Sequence, residues 1–244
     1  MRDQSWSPRC RGHSATSRQD ALNIIRIGSS AGGARSKALV AIDGDGLIYD
    51  GTIEQQGDCR YFLLKFDSPE NADRDKKDPK GMTKIEYIYS QIAKECRIDM
   101  PHTDYIVDGE DFHFLIERFD REVAGGKLRK RYYASWAALA HADRDTTGAY
   151  SYEQLLLVAR ELEVGEHQTK ELFRRAVFNI IGKNQDDHTK NFGFMMNRSG
   201  GWSLSPAFDM TYAYDPNGKW TRAHQIRLNG KQEGFTLDDL LAFG

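Results

Sequence analysis

The chain has 244 residues, with 34 Lys and Arg against 36 Asp and Glu, for a formal net charge of -2. At roughly 100–200 residues per domain this is one domain or two lobes sharing a cleft, and a 39% hydrophobic, 11% aromatic composition is enough to fill a core, which argues against wholesale disorder. Near-balanced charge argues against a protein built chiefly to neutralise nucleic-acid phosphates, no run approaches the roughly 18 apolar residues of a membrane helix, and three widely spaced cysteines, Cys10, Cys59 and Cys96, fit neither a disulfide framework nor a zinc ribbon and point to a reducing cytosol.

Residues 1–20 are rich in Ser and Arg but lack an apolar h-region, so they read as a loose tail rather than a secretory signal. Ile24–Ile27, the Gly-rich turn Gly28–Ala34 and Ala38–Ile42 then read as strand, turn, strand. Asp43-Gly44-Asp45-Gly46 is a second turn, and Tyr61–Phe66 a third strand with Lys65 set among apolar residues. Residues 67–81 are charged and broken by Pro69 and Pro79, which predicts an exposed loop. From Thr83 to Cys96 the spacing of Ile85, Ile88, Tyr89 and Ile92 predicts a helix, opened by a Thr83/Glu86 capping box. Phe112–Phe119 reads as a strand, and beyond it the chain reads as mostly helical, over Trp136–His141, Tyr152–Leu162 and His167–Ile181. The closing Thr236–Gly244 reads as the start of a short helix cut off from a longer helical region. The expected fold class is α+β: a flexible tail over 1–20, a β-rich lobe over 21–120 and a helical lobe over 121–244.

The densest chemistry lies in Asn184-Gln185-Asp186-Asp187-His188-Thr189-Lys190-Asn191. Phosphoryl transfer needs a carboxylate that orients the acceptor hydroxyl and an amide oxygen that reaches a phosphate-bound metal ion. Asp186 and Asn191 have the five-residue spacing of a kinase catalytic loop; a solvated Asx-rich turn is the plainer reading of the loop alone. A second metal carboxylate should follow a hairpin, and Asp209 does so, after Phe192–Met196 and Trp202–Leu204. Gly28-Ser29-Ser30-Ala31-Gly32-Gly33 is a candidate phosphate cradle, because glycines let backbone N–H groups approach an anion. Without the GK[ST] order it is not a Walker A motif, and an ordinary Gly-rich hairpin is the alternative. Lys65 is a candidate phosphate contact, and Glu86 its ion-pair partner. Asp143–Gly148 begins like an EF-hand loop but has Gln154 where a bidentate Glu is needed. His102, His141, His167 and His224 lack zinc-ligand spacing.

Taken together, SSAGGARSKALV (29–40), FLLKF (62–66), GMTKIEYIYSQIA (81–93), FLIERFDR (114–121), NQDDHTKNFGF (184–194), LSPAFDM (204–210) and HQIRLNGKQEGFTLDDLLAFG (224–244) resemble, in order, the HipA family of bacterial Ser/Thr kinase toxins. The resemblance implies a two-lobe protein-kinase-like fold using ATP and Mg2+ in the cytoplasm. It makes Asp186 the catalytic Asp, with His188 and Asn191 completing the loop, and Asn191 and Asp209 the magnesium ligands. It makes Ala31, Gly32, Gly33, Ala34, Arg35 and Ser36 the phosphate loop, Lys65 a phosphate contact, and Glu117 and Phe119 the adenine hinge. Ser30, with Ser29 beside it, matches the serine that the family autophosphorylates. The implied partners are a helix-turn-helix antitoxin and, through it, operator DNA, with an aminoacyl-tRNA synthetase as a possible protein target and neither direct nucleic-acid binding nor a membrane. The small N-terminal module and the last helices usual in the family are not matched. Asp186, His188 and Asn191 also fit the phosphoinositide-kinase arrangement, so a lipid or small-molecule kinase is the alternative enzyme. An inactive fragment that only binds antitoxin or nucleotide is the non-enzyme alternative.

Overall fold

A computed structural model of the chain describes residues 36–67, 79–125, 127–142 and 146–244. The expected tail, the strand at 24–27, the cradle residues Ser29, Ser30, Ala31, Gly32, Gly33, Ala34 and Arg35, most of the 67–81 loop and Asp143–Asp145 lie outside the described residues. Two compact units are present: one takes Met1–Tyr87 with Pro101–Lys130, the other Ile88–Met100 with Arg131–Gly244.

The first unit is built on a five-stranded antiparallel sheet of β1 (Lys37–Ile42), β2 (Ile48–Asp50), β3 (Arg60–Lys65), β4 (Thr103–Asp108) and β5 (Asp111–Glu117), in the order β2-β1-β3-β5-β4. Side chains alternate faces along a strand, and both faces here are apolar. Ala38, Val40, Ile42, Phe62, Leu64, Ile106 and Leu115 form one buried cluster. Ala41, Cys59 and Tyr61 point the other way and are covered by Val123 and Leu128 of the hairpin β6 (Arg121–Ala124) and β7 (Lys127–Lys130). Burial raises the Cys59 thiol above its ordinary value, and Asp43 and Asp58 raise it further.

Helix α1 (Met82–Glu95) follows the expected period but not the expected cap. Thr83 lies inside the helix and its hydroxyl donates to the Phe112 carbonyl, while Glu86 is turned to Lys65. The helix start is instead fastened by Asp67, whose Oδ1 accepts from Gly81 N at 2.9 Å.

The second unit corrects the expectation of a mostly helical region after Phe119. β8 (Tyr132–Ser135) pairs with β9 (Gly193–Met196), which pairs with β10 (Trp202–Leu204), as a three-stranded antiparallel sheet. Helix α2 (Trp136–Leu139) stops short of His141, whose φ of +49° cannot continue a right-handed helix. Helices α3 (Tyr152–Glu161) and α4 (Glu166–Ile181) bury Tyr152, Leu155, Ala159, Leu172 and Ala176 with Trp136, Phe192, Phe194 and Ile226. α3 opens on a Ser151/Gln154 capping box and α5 (Leu237–Phe243) on a Thr236/Asp239 one, each satisfying two otherwise orphaned N–H groups. Among the described residues no helix is long and apolar enough to cross a membrane.

Candidate active site

The loop 184–191 starts where α4 ends, and the ending is a Schellman turn. Lys183 takes φ +55°, its N–H bonds to Ile180 O at 3.4 Å, and Asn184 N–H reaches back to Asn179 O at 2.9 Å, the double closure of that motif. Gly182 is required at the turn, because a Cβ there would lie 2.8 Å from the Phe178 carbonyl. The turn therefore delivers Asn184 into the interior, 2% exposed. Its Nδ2 donates to Asn179 Oδ1 at 2.9 Å and to the Asp209 carbonyl at 3.2 Å. One side chain thus ties the end of α4 to the segment that carries Asp209.

Two consecutive aspartates then part ways. Asp187 is 1% exposed and collects three donors from distant segments: Tyr152 Oη at 2.9 Å, His224 Nδ1 at 2.9 Å and Gln225 N at 2.8 Å. A buried carboxylate demands such partners; with Asp187 as acceptor, His224 carries its proton on Nδ1. Burial and the neighbouring Asp187 push the Tyr152 hydroxyl well above its ordinary value, so it stays a donor. Asn179 Nδ2 completes the network at 3.1 Å from Tyr152 Oη. Asp186 is only half-buried. Gln225 Nε2 lies 2.7 Å from its Oδ1, and its carbonyl accepts from Asn191 Nδ2 at 2.8 Å. That last bond closes the loop through the 3₁₀ turn Thr189–Asn191, where Asn191 N also bonds to His188 O at 2.9 Å.

After the turn, Gly193 opens β9 against Tyr133, whose ring would be 2.3 Å from any Cβ at that position. The β9–β10 hairpin returns the chain to Ser205, whose N–H bonds to Gly193 O at 2.9 Å. Asp209 follows with φ +53°. A non-glycine residue in the left-handed region is uncommon and gathers at functional sites.

In the first unit, β3 brings Lys65 to its end in register with Lys37 of β1 and Phe114 of β5. Lys65 and Glu86 are 7% and 3% exposed and their charged ends lie 2.5 Å apart, so the expected ion pair is present. Ser36 accepts from Phe66 N through its carbonyl at 3.1 Å. Glu117 ends β5 with its carboxylate gripped by Arg60 at 2.9 and 2.7 Å, and Phe119 lies half-buried past the strand end. The structure thus brings Asp186 and Asn191 together and links Asp209 to the same loop through Asn184; in the other unit it brings Lys65 to Glu86. Tyr152, Asn179, Asn184, Asp187, His224 and Gln225 were not anticipated as site residues. Only the run of polar residues on the inward face of α4, Glu171, Arg175 and Asn179, hints at a buried network.

The donor set suits a magnesium ion. Asn191 spends its amide nitrogen on the Asp186 carbonyl, which leaves the amide oxygen as its metal-binding end, and Asp209 adds a carboxylate. Both are hard oxygen donors, and magnesium takes one or two such groups and fills its other positions with water and phosphate. Among the described residues no group of three or more His, Cys, Asp or Glu side chains is assembled for a metal.

Comparison with known proteins shows what the whole chain is similar to. The family model described as HipA-like C-terminal domain matches residues 29–243. A kinase-named protein of Haemophilus influenzae is 27% identical over 172 residues, covering 65% of this chain and 46% of that protein. A chain of the solved Shewanella oneidensis MR-1 toxin–antitoxin complex of HipA, HipB and operator DNA superposes with a TM-score of 0.68 at 19% identity, covering 88% of this chain and 51% of that one. The fold is therefore the α+β, kinase-like one, and the chain spans about half the length of these relatives.

Proposed function

The chain belongs to the HipA-like C-terminal domain family, and from that premise we propose that it is an ATP- and magnesium-dependent protein Ser/Thr kinase. The observation that carries the reading is the closed loop in which Asn191 Nδ2 holds the Asp186 carbonyl at 2.8 Å, while Asn184 fastens the strained Asp209 to the same loop at 3.2 Å. Asp186 takes up the proton of the acceptor hydroxyl as that oxygen bonds to the γ-phosphorus and the bond to the bridging oxygen of the departing ADP breaks. Asn191 and Asp209 would hold the metal ion. Magnesium, when bound, offsets the charge on the phosphate oxygens. Lys65, kept straight by Glu86, contacts the α- and β-phosphates. Ala31–Ser36 form the phosphate loop, and Glu117 and Phe119 border the adenine. His188 supports the loop as the residue that precedes the 3₁₀ turn.

Ser30 is the proposed autophosphorylation site. A phosphate there adds about -1.5 to -2 charges beside the donors meant for ATP, so the modification limits itself. The Shewanella complex contains HipB and operator DNA, and we extend that to a helix-turn-helix antitoxin as this chain's partner; an aminoacyl-tRNA synthetase is the proposed class of protein target.

The test is phosphate transfer from labelled ATP to the chain itself and to proteins of a cell lysate. Wild type should label Ser29 or Ser30 by mass spectrometry, and Asp186→Ala should lower turnover by roughly 10²–10⁴-fold. Equal labelling by wild type and Asp186→Ala would remove Asp186 from the chemistry.

A further inference from the structure

We propose that Gln225 is a positioning residue for Asp186: its side-chain amide fixes the plane of the carboxylate that takes up the hydroxyl proton. The proposal rests on the kinase reading above, and it comes from the segment 224–228, which lies more than 30 residues beyond the loop in sequence.

Gln225 is 5% exposed, so its amide must find partners inside the protein. Nε2 donates to Asp186 Oδ1 at 2.7 Å. Its backbone is held from both sides, N donating to Asp187 Oδ1 at 2.8 Å and O accepting from Gly148 N at 2.8 Å. The residues around it are fastened in turn. His224 bonds to Asp187 and exchanges two bonds with Gln232, at 3.1 Å to the Gln232 carbonyl and 2.7 Å from Gln232 Nε2. Arg227 forms a parallel bridge with Ser151, accepting from Tyr152 N at 2.9 Å and donating to Tyr150 O at 2.9 Å. A side chain on so constrained a backbone delivers its N–H to a fixed point.

Gln225 thereby touches both aspartates, one through its main chain and one through its side chain, and so sets the spacing between the anchored carboxylate and the reactive one. An amide is the right chemistry for this. It donates one hydrogen bond, carries no charge and takes no proton, so it orients Asp186 without neutralising it. A lysine would pair with the carboxylate and weaken it as a base, and a leucine would leave its oxygen without this donor.

The test uses Gln225→Met, which keeps length and loses the donor, in the full chain. Its neighbours Asp187 and His224 are unchanged in it. In the labelled-ATP assay the variant should lose about tenfold to a hundredfold in kcat, the usual cost of a misplaced reacting group, with KM for ATP within about twofold and an unchanged melting temperature. In an Asp186→Asn background the same change should cost nothing further, because Gln225 acts only through Asp186. An equal loss in both backgrounds, or a loss carried by KM, overturns the proposal. A second measurement does not depend on turnover. In carboxyl ¹³C NMR at one fixed pH, with the Asp186 signal assigned by Asp186→Asn, the Asp186 carboxyl resonance should move in Gln225→Met, since its hydrogen-bond donor is lost. An unmoved resonance sinks the proposal even in an active enzyme. Absence of transfer by wild type sinks the kinase reading, while the resonance still decides this one.

Discussion

In the first unit one buried cation meets one buried anion: Lys65 Nζ lies 2.5 Å from Glu86, and both side chains are almost wholly enclosed. In the second, the buried carboxylate of Asp187 is held by three donors that come from α3, from His224 and from the main chain of Gln225. The pair is a single contact between the end of β3 and α1. The network is a junction, where removing the acceptor strands groups on three segments at once. Burying charge by pairing tends to be replaceable by apolar packing; burying it by convergent donors is not, because each donor then needs a new acceptor.

The largest effect should come from breaking the junction. Asp187→Ala leaves the Tyr152 hydroxyl, the His224 Nδ1–H and the Gln225 N–H without their acceptor. At about 1–3 kcal/mol for each buried orphan, urea unfolding should show a loss of more than about 3 kcal/mol. A change below about 1 kcal/mol would mean that the interior can rearrange and that the junction is not one. The pair should behave differently. Lys65→Met alone strands Glu86 and should cost about 3–5 kcal/mol, whereas Lys65→Met with Glu86→Leu should return to within about 1 kcal/mol of wild type and still lack phosphoryl transfer. A double variant as unstable as the single one would place the pair in the same class as the network.

The smallest effect sharpens the comparison at the cap of α5. Asp239 is held at about 2 by Lys231 first, then by the main chain and hydroxyl of Thr236. This lies below the roughly 3.9 of an unfolded Asp, so its contribution to stability is complete above about pH 4 and disappears as the pH falls through about 2. The gap in urea midpoint between wild type and Asp239→Asn should therefore narrow across that window. A gap that stays constant would separate the cap of α5 from the ionisation of Asp239.

What could be read in the sequence follows from how local each feature is. Asp186 and Asn191 sit five residues apart and bond to each other within one turn, and Asp209 follows a hairpin whose two strands and turn are contiguous. The partners of Asp187 are 35, 37 and 38 residues away, and no spacing rule connects them. His224 shows no zinc-ligand spacing, and a lone histidine does not announce the carboxylate it will meet. The strand at 121–124 and its partner at 127–130 carry no strand signal for another reason: REVA and KLRK are short and charged, with Val123 and Leu128 as the apolar residues packed on the sheet. The Thr83/Glu86 cap failed because both side chains had stronger claims elsewhere, on Phe112 and on Lys65.

The two cysteines among the described residues give the molecule a built-in clock. Cys96 is exposed beyond the end of α1, while Cys59 is enclosed beneath Tyr61, Val123 and Leu128 with its thiol held protonated by burial and by Asp43 and Asp58. A thiol reagent acts on the thiolate, so Cys96 is open to it directly and Cys59 only when the sheet parts from its covering hairpin. In a Cys10→Ser background, the slowing of Cys59 against the same cysteine in an unfolded peptide measures the free energy of that parting.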